Sequence, residues 1–311
     1  MHRFSGNTWD VLPVPSDSKN IFDLAVVPGS TPGTGKIYIL SLDDTTATIY
    51  GADIGSWNWG VIGNASNYGL VQSIYAANKN LFAGARQKGS DAYAILNLNG
   101  NDFTEIIAGC RDLSGVVYAD SNYYFATTAG IYKRDSNFAG GDYWGGYTVT
   151  GIFSYNATNI IAVTSDAQIL QVGPSAAPIV HAKSDPFTGA IALWQKDKSS
   201  QEKLLLLGVK GGADDYGYFE VPITDKNNID WGNIYEPGAQ ESRSSVNDID
   251  SYRQQLKKHV VRALIQAPPS ADTDPKNHLG LPVVFAATQK DGVWSYRATA
   301  EKPNGVWNAE D

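Results

Sequence analysis

Cysteine is almost missing from this chain: its 311 residues include one, Cys110, beside one methionine and four histidines. A single thiol excludes an internal disulfide and any multi-cysteine metal centre. Cys110 therefore reads as a small, partly buried side chain rather than a reactive thiol. Long apolar runs are missing too. Stretches such as Leu204 to Val209 are far shorter than the roughly 20 residues a membrane-crossing helix needs, and suit a buried strand. Basic clusters are absent as well: 24 Lys and Arg face 32 Asp and Glu, a net charge of −8. No run of five or six like charges occurs, so the footprint required for phosphate neutralisation is lacking and nucleic acid is excluded as an expected partner. The chain carries no GxSxG, P-loop or dinucleotide fingerprint in its required context, and no HExxH pair. A zinc triad would need His2, His181, His259 and His278 to converge from separate elements. The opening MHRFSGNTW lacks the apolar centre of a signal peptide. A supplied methionine after removal of a leader would look the same, and we expect an exported protein, periplasmic or at the cell surface.

What the chain has in quantity is glycine, tyrosine and tryptophan, 31, 17 and 8 residues, within 42% apolar and 18% charged composition. These are turn formers and strand formers. They recur in a unit of roughly forty residues, the signature of stacked supersecondary repeats. Each unit offers an inner strand A, a hairpin of B and C, and an outer strand D. The A strands are Ile21 to Val27, Val71 to Ala77, Leu113 to Ala119, Val149 to Tyr155, Thr188 to Trp194 and His259 to Ala267. The B strands begin at Lys36, Asn80, Asn122, Asn159, Lys203 and Pro282, spacings of 44, 42, 37, 44 and 79 residues. The final doubling is read as insertion, because a single convincing A strand lies between the last two hairpins.

The sequence thus predicts an all-β fold, a six-bladed β-propeller of four-stranded antiparallel blades, spanning 1–311 as one domain. Tryptophan opens several D strands (Trp57, Trp144, Trp231), which points to packing between blades rather than a repeated sugar site. Two further tryptophan segments, Thr8 to Pro15 and Val306 to Asp311, resemble D strands, and we expect both termini to join one sheet and close the ring. The last blade departs from the pattern. Ser244 to Val260 places Val246, Ile249, Leu256 and Val260 at near-helical spacing, predicting a short helical insertion before that blade, at about 241–260. A second insertion, 267–280, has the proline and polar content of an exposed loop.

Asn122 to Ser136 (NYYFATTAGIYKRDS) and Pro282 to Ala298 (PVVFAATQKDGVWSYRA) give a small-residue turn, at Gly130 or Gly292, followed by an aromatic strand. In this the chain resembles bacterial propellers with BNR-like and two-component-regulator-like blades. The resemblance implies a propeller and no particular reaction. The Asp-box spacing common in sialidases is missed by Thr288 to Trp294.

Alternating strand direction places the D-to-A and B-to-C loops on one face, the expected binding surface. Its charged residues are mostly turn residues. The ligand-contact candidates are Arg86, Arg111, Asp185, Tyr216, Arg243, Tyr252, His259 and Arg262. No catalytic residue and no metal ligand is assigned. Adjacent Asp43 and Asp44, or Asp214 and Asp215, point in different directions on an extended segment, so they suit turns or weak calcium binding better than acid–base chemistry. The expected function is a monomeric, non-catalytic binding or protein-interaction module. It would recognise a protein or glycan on the loop-rich face, without a cofactor beyond that weak Ca²⁺ possibility. The alternative is a carbohydrate-active hydrolase or lyase using carboxylates and arginines at the central mouth.

Overall fold

The computed structural model describes residues 2–5, 8–18, 20–31, 33–43, 46–63, 68–173, 176–183, 185–195, 203–210, 216–224, 228–234, 256, 259–267, 283–290, 292–297 and 306–310. It is a six-bladed β-propeller. Each blade is a meander of consecutive strands, so every sheet order follows chain order.

An N-terminal hairpin, β1 (His2–Ser5) with β2 (Thr8–Val11), forms its own two-stranded sheet. Blade one is β3 (Asn20–Pro28), β4 (Gly35–Leu42), β5 (Ala47–Asp53) and β6 (Gly60–Val61). Blade two is β7 (Val71–Ala77), β8 (Asn80–Arg86), β9 (Tyr93–Asn99) and β10 (Asp102–Cys110). Blade three is β11 (Leu113–Ala119), β12 (Asn122–Thr127), β13 (Gly130–Asp135) and β14 (Tyr143–Gly145). Blade four is β15 (Val149–Ser154), β16 (Ile160–Thr164), β17 (Gln168–Val172) and β18 (Ile179–Ala182). Blade five has, among the described residues, three strands, β19 (Phe187–Gln195), β20 (Lys203–Lys210) and β21 (Tyr216–Ile223). Blade six is β22 (Val261–Ala267), β23 (Val283–Thr288), β24 (Val293–Arg297) and β25 (Val306–Glu310).

The chain forms two compact units: Val11–Asn159 with Gly173–Ala177, and His2–Asp10 with Ile160–Val172 and Pro178–Asp311. The first holds two apolar clusters, one around Leu40, Ile74, Leu81 and Leu96, the other around Phe82, Ile95, Tyr123 and Phe125. The second packs Leu206, Tyr218, Leu264, Val284, Tyr296 and Trp307 into one cluster. B strands are buried along most of their length because both of their faces meet neighbouring sheets, which explains runs such as Tyr123 to Thr127. Asn78 and Lys79, like Asp120 and Ser121, have both residues at positive φ. That is the backbone of a two-residue hairpin matched to strand twist.

Three expectations need correcting. Thr8–Val11 pairs with His2–Ser5 and joins no blade, while Val306–Glu310 alone supplies the outer strand of blade six, pairing with β24. Among the described residues the two termini therefore do not share a sheet. Among the described residues Trp231 opens no strand: Ile229 makes one bridge to Ile223, and Trp231 to Ile234 lie outside any strand. Finally, the tryptophans do not share one packing role. Trp307 is 2% exposed and donates from Nε1 to the Tyr218 hydroxyl of blade five at 3.0 Å, and Trp231 stacks on His181 of blade four. Trp144, by contrast, stacks on Tyr124 within its own blade. The expected helix and the loop at 267–280 lie outside the described residues apart from Leu256, His259, Val260 and Ala267 at their margins. Leu256 is fully buried in the second unit's cluster.

Candidate interaction face

In blades two, three, five and six a backbone hydrogen bond ties the entry of the inner strand to the B-to-C side of the blade: Arg86 N–H donates to Leu70 O (3.0 Å), Thr128 to Asp112 (3.0 Å), Lys210 to Pro186 (2.7 Å) and Gln289 to Val260 (3.0 Å). In blade four the bond joins the exit of the outer strand to the turn before β17, Lys183 N–H donating to Ala167 O at 2.7 Å. The two sets of loops thus emerge together, as strand alternation predicts. Main-chain bonds fasten them at their base.

In the first unit the face is built around blade two. Arg86, at the end of β8, has its guanidinium engaged by the Asp91 carboxylate and by the Ser90 carbonyl at 3.2 Å. Ala92 N–H donates to Ser90 Oγ at 2.9 Å, and Gln87 Nε2 reaches Glu105 at 3.4 Å, so the turn is braced at several points. Gly69, Leu70 and Arg86 to Asp91 surround an open depression of about 370 Å³. Arg111 is exposed in the connection from β10 to β11. In the second unit Asp185 is half-buried between β18 and β19. His259 and Arg262 share the entrance to blade six. The His259 ring lies 5.2 Å from that of Trp294, its carbonyl accepts from Gly217 N–H at 3.0 Å, and Arg262 donates to Gln289 Oε1 at 2.8 Å. Tyr216 begins β21. Arg243 and Tyr252 lie outside the described residues, as do Asp44, Asp214 and Asp215.

The chemistry of these patches is mixed in charge. Arg86 is paired with an acid rather than grouped with other arginines for a substrate carboxylate. Among the described residues no group of three or more His, Cys, Asp or Glu could hold a metal ion. The Cys110 thiol is buried and pushed up to about 12, burial being the main cause and Glu105 and Asp112 adding to it. It is protonated at neutral pH and poorly nucleophilic. No described helix is long and apolar enough to cross a membrane.

Sequence reasoning missed the polar residues of the inner strands. Asp23 on β3 accepts Ile74 N–H of the next blade at 2.9 Å through Oδ2 and Leu24 N–H at 2.8 Å through Oδ1. Burial nevertheless holds its carboxyl above the usual range, against the lowering effect of those two bonds. Hydroxyls do the reverse, donating to the first residue of the next inner strand: Ser73 to Leu113 O at 3.1 Å, Ser114 to Val149 O at 2.8 Å and Thr188 to Val261 O at 2.6 Å. The signal was a Ser or Thr in the first three residues of several A strands, in VQS, LSG and FTG.

No protein-family model matches the chain, and no curated protein matches it. Solved structures share its fold. A chain of the crystal structure of the mitotic checkpoint complex is 11% identical with a TM-score of 0.54, over 97% of this chain and 87% of that one. The structure described as YCF48 bound to D1 peptide is 11% identical with a TM-score of 0.55, over 96% and 88%. A chain of hydrazine synthase from Kuenenia stuttgartiensis is 11% identical with a TM-score of 0.50, over 92% and 97%. At this identity the likeness is one of fold.

Proposed function

We propose that the chain is a non-catalytic interaction module that binds a protein partner on its loop-rich face. The observation that carries this reading is the repeated main-chain fastening of that face in blades two, three, five and six. It gives a preorganised platform on which a partner can dock without costly loop ordering. Mixed charge and shallow relief, with Arg86, Lys88 and Asp91 around an open depression, suit a polar protein surface better than a deep substrate cleft. Two similar folds come from structures titled as a complex and as a peptide-bound protein, which supports a protein over a glycan. Within this reading Arg86, Arg111 and the His259–Arg262 pair are contact residues, and the protein is exported and monomeric.

The test uses the intact protein with a photo-crosslinking residue at Lys88, at Arg262 or, on the opposite face, at Gly100. The expected result is one protein cross-linked from the loop-rich positions and not from Gly100, with capture reduced about ten-fold by Arg86→Glu. Retention on a glycan panel without any cross-linked protein would overturn the choice of partner. Cross-linking from Gly100 alone would overturn the choice of face.

A further inference from the structure

On the opposite face of the first unit, blades one and two leave an open crevice of about 530 Å³. One wall is the turn from β3 to β4, Val27 to Ser30 with Gly35 and Lys36, together with Asp53 at the end of β5. The other is made by the hairpin turns of blade two, Lys79 and Gly100. The floor is apolar, formed by Leu81, Leu98 and the ring of Tyr38. Glycine at 35 keeps the first wall thin. Its φ is +134°, and a Cβ there would collide with the Val27 carbonyl.

Two polar features inside this apolar setting are not absorbed by the fold. Tyr38 is 6% exposed over the whole residue and lines the crevice, and its hydroxyl is not among the buried polar atoms left without a partner. The ring is thus covered while the phenolic O–H is open to the crevice, where it can donate to a ligand. Lys79 sits on the rim at the second position of the tight turn, with φ +66°, so its stem is projected from a fixed backbone. It has no acidic partner among the described residues. Lys36, on the same rim, is held by Asp53 at 3.2 Å, which leaves Lys79 as the cation available to a ligand.

We infer that this crevice is a binding site for a small carboxylate with an aromatic or branched aliphatic body. The body would cover Leu81, Leu98 and the Tyr38 ring, while the carboxylate meets the Lys79 ammonium and accepts from the Tyr38 hydroxyl. The volume falls in the range of small-ligand sites, roughly 300–1,000 Å³. The charge sense is set by Lys79, since Lys36 is already balanced by Asp53: a cationic ligand would meet repulsion there and an uncharged one would forgo the ion pair. The site is independent of the loop-rich face and of whatever binds there.

The experiment is a calorimetric titration of the intact protein with 4-phenylbutyrate, and in parallel with its neutral amide. We expect saturable one-to-one binding of the acid, weaker binding of the amide, and an affinity for the acid about three- to ten-fold lower in Lys79→Asn and Tyr38→Phe. Asparagine tolerates the positive φ of that turn, and Phe keeps the ring, so both variants retain the fold; unchanged thermal melting checks this. Ser30→Trp, on the rim, should block binding by filling the crevice. Lys133→Gln, on β13 of blade three and outside the crevice lining, should leave it unchanged. Absence of saturable binding would overturn the inference, as would equal affinity for acid and amide, or an affinity indifferent to both Lys79→Asn and Ser30→Trp.

Discussion

Asp23 shows what a single side chain contributes where a regular inner strand would otherwise present only hydroxyls and apolar groups. It gives acceptors to two main-chain N–H groups, one of them across the junction to blade two, yet burial raises its carboxyl above the ordinary value near 3.8. A raised folded-state value means that the folded chain binds the proton more tightly than the unfolded chain. The contribution of Asp23 to stability is therefore fully present below pH 3.8 and is lost as pH rises through the higher folded value. Asp23→Asn keeps one acceptor and removes the titration. Urea unfolding across pH 3.5 to 6.5 should show the variant gaining on the wild type as pH rises through that window; a pH-independent difference would refute the burial argument. Nothing in the sequence marked Asp23, because one acid in NIFDLAVV is indistinguishable from a solvated strand residue until the next blade's backbone is in place. Arg86, Arg111, His259 and Arg262 were easier to place, since strand alternation alone assigns a loop to one face. Their partners were not legible, as Asp91 and Gln289 are chosen by local turn geometry.

At the level of the element, the recurring feature is the clasp between successive inner strands. Ser73, Ser114 and Thr188 each donate to a carbonyl at the start of the next A strand, and each clasp lies beside a register shift in its own strand. The bulge turns the hydroxyl sideways, toward the neighbouring blade. Small residues permit the approach: a Cβ on Gly208 would lie 2.6 Å from Thr188 Oγ1 and 2.9 Å from the Val261 carbonyl. Ser114→Ala should then cost about 1 kcal/mol, the net worth of a hydrogen bond plus an orphaned acceptor. Gly208→Ala should cost more, roughly 1–3 kcal/mol, because the added methyl forces two blades apart. Denaturant midpoints at constant m-value measure both; a neutral Gly208→Ala would show that the sheets can shift at no cost. The strands themselves were readable, since β-branched and aromatic runs bounded by Asn, Asp and Gly leave few alternatives. The irregularity of blade five was not. WGNIYEP has the same pattern as a D strand, and the described part of it shows a single bridge before it, at Ile229, and the stacking of Trp231 on His181.

For the whole molecule, the absence of a shared terminal sheet changes which end the fold depends on. Every described blade is made from consecutive strands, so no blade borrows its outer strand from the N-terminus. β25, by contrast, pairs along its full length with β24, from Val306 against Arg297 to Glu310 against Val293. It also delivers Trp307 into the cluster that holds Tyr218 and Tyr296, with ring centroids at 5.8 and 5.5 Å. Removing it strips an edge from blade six and empties the largest side chain from the second unit's core. Loss of a buried Trp alone costs about 3–5 kcal/mol, a large share of the roughly 5–15 kcal/mol that stabilises a typical domain. Truncation after Gly305 should therefore unfold or severely destabilise the protein, whereas Trp307→Phe, which keeps the strand and most of the ring volume, should fold with a lower melting temperature. Removal of residues 1–7, which leaves all six blades intact, should be tolerated by comparison. Thermal melting and limited proteolysis of the three variants decide the matter: a C-terminal truncation as stable as the N-terminal one would mean that β25 is an ornament on blade six rather than part of its core.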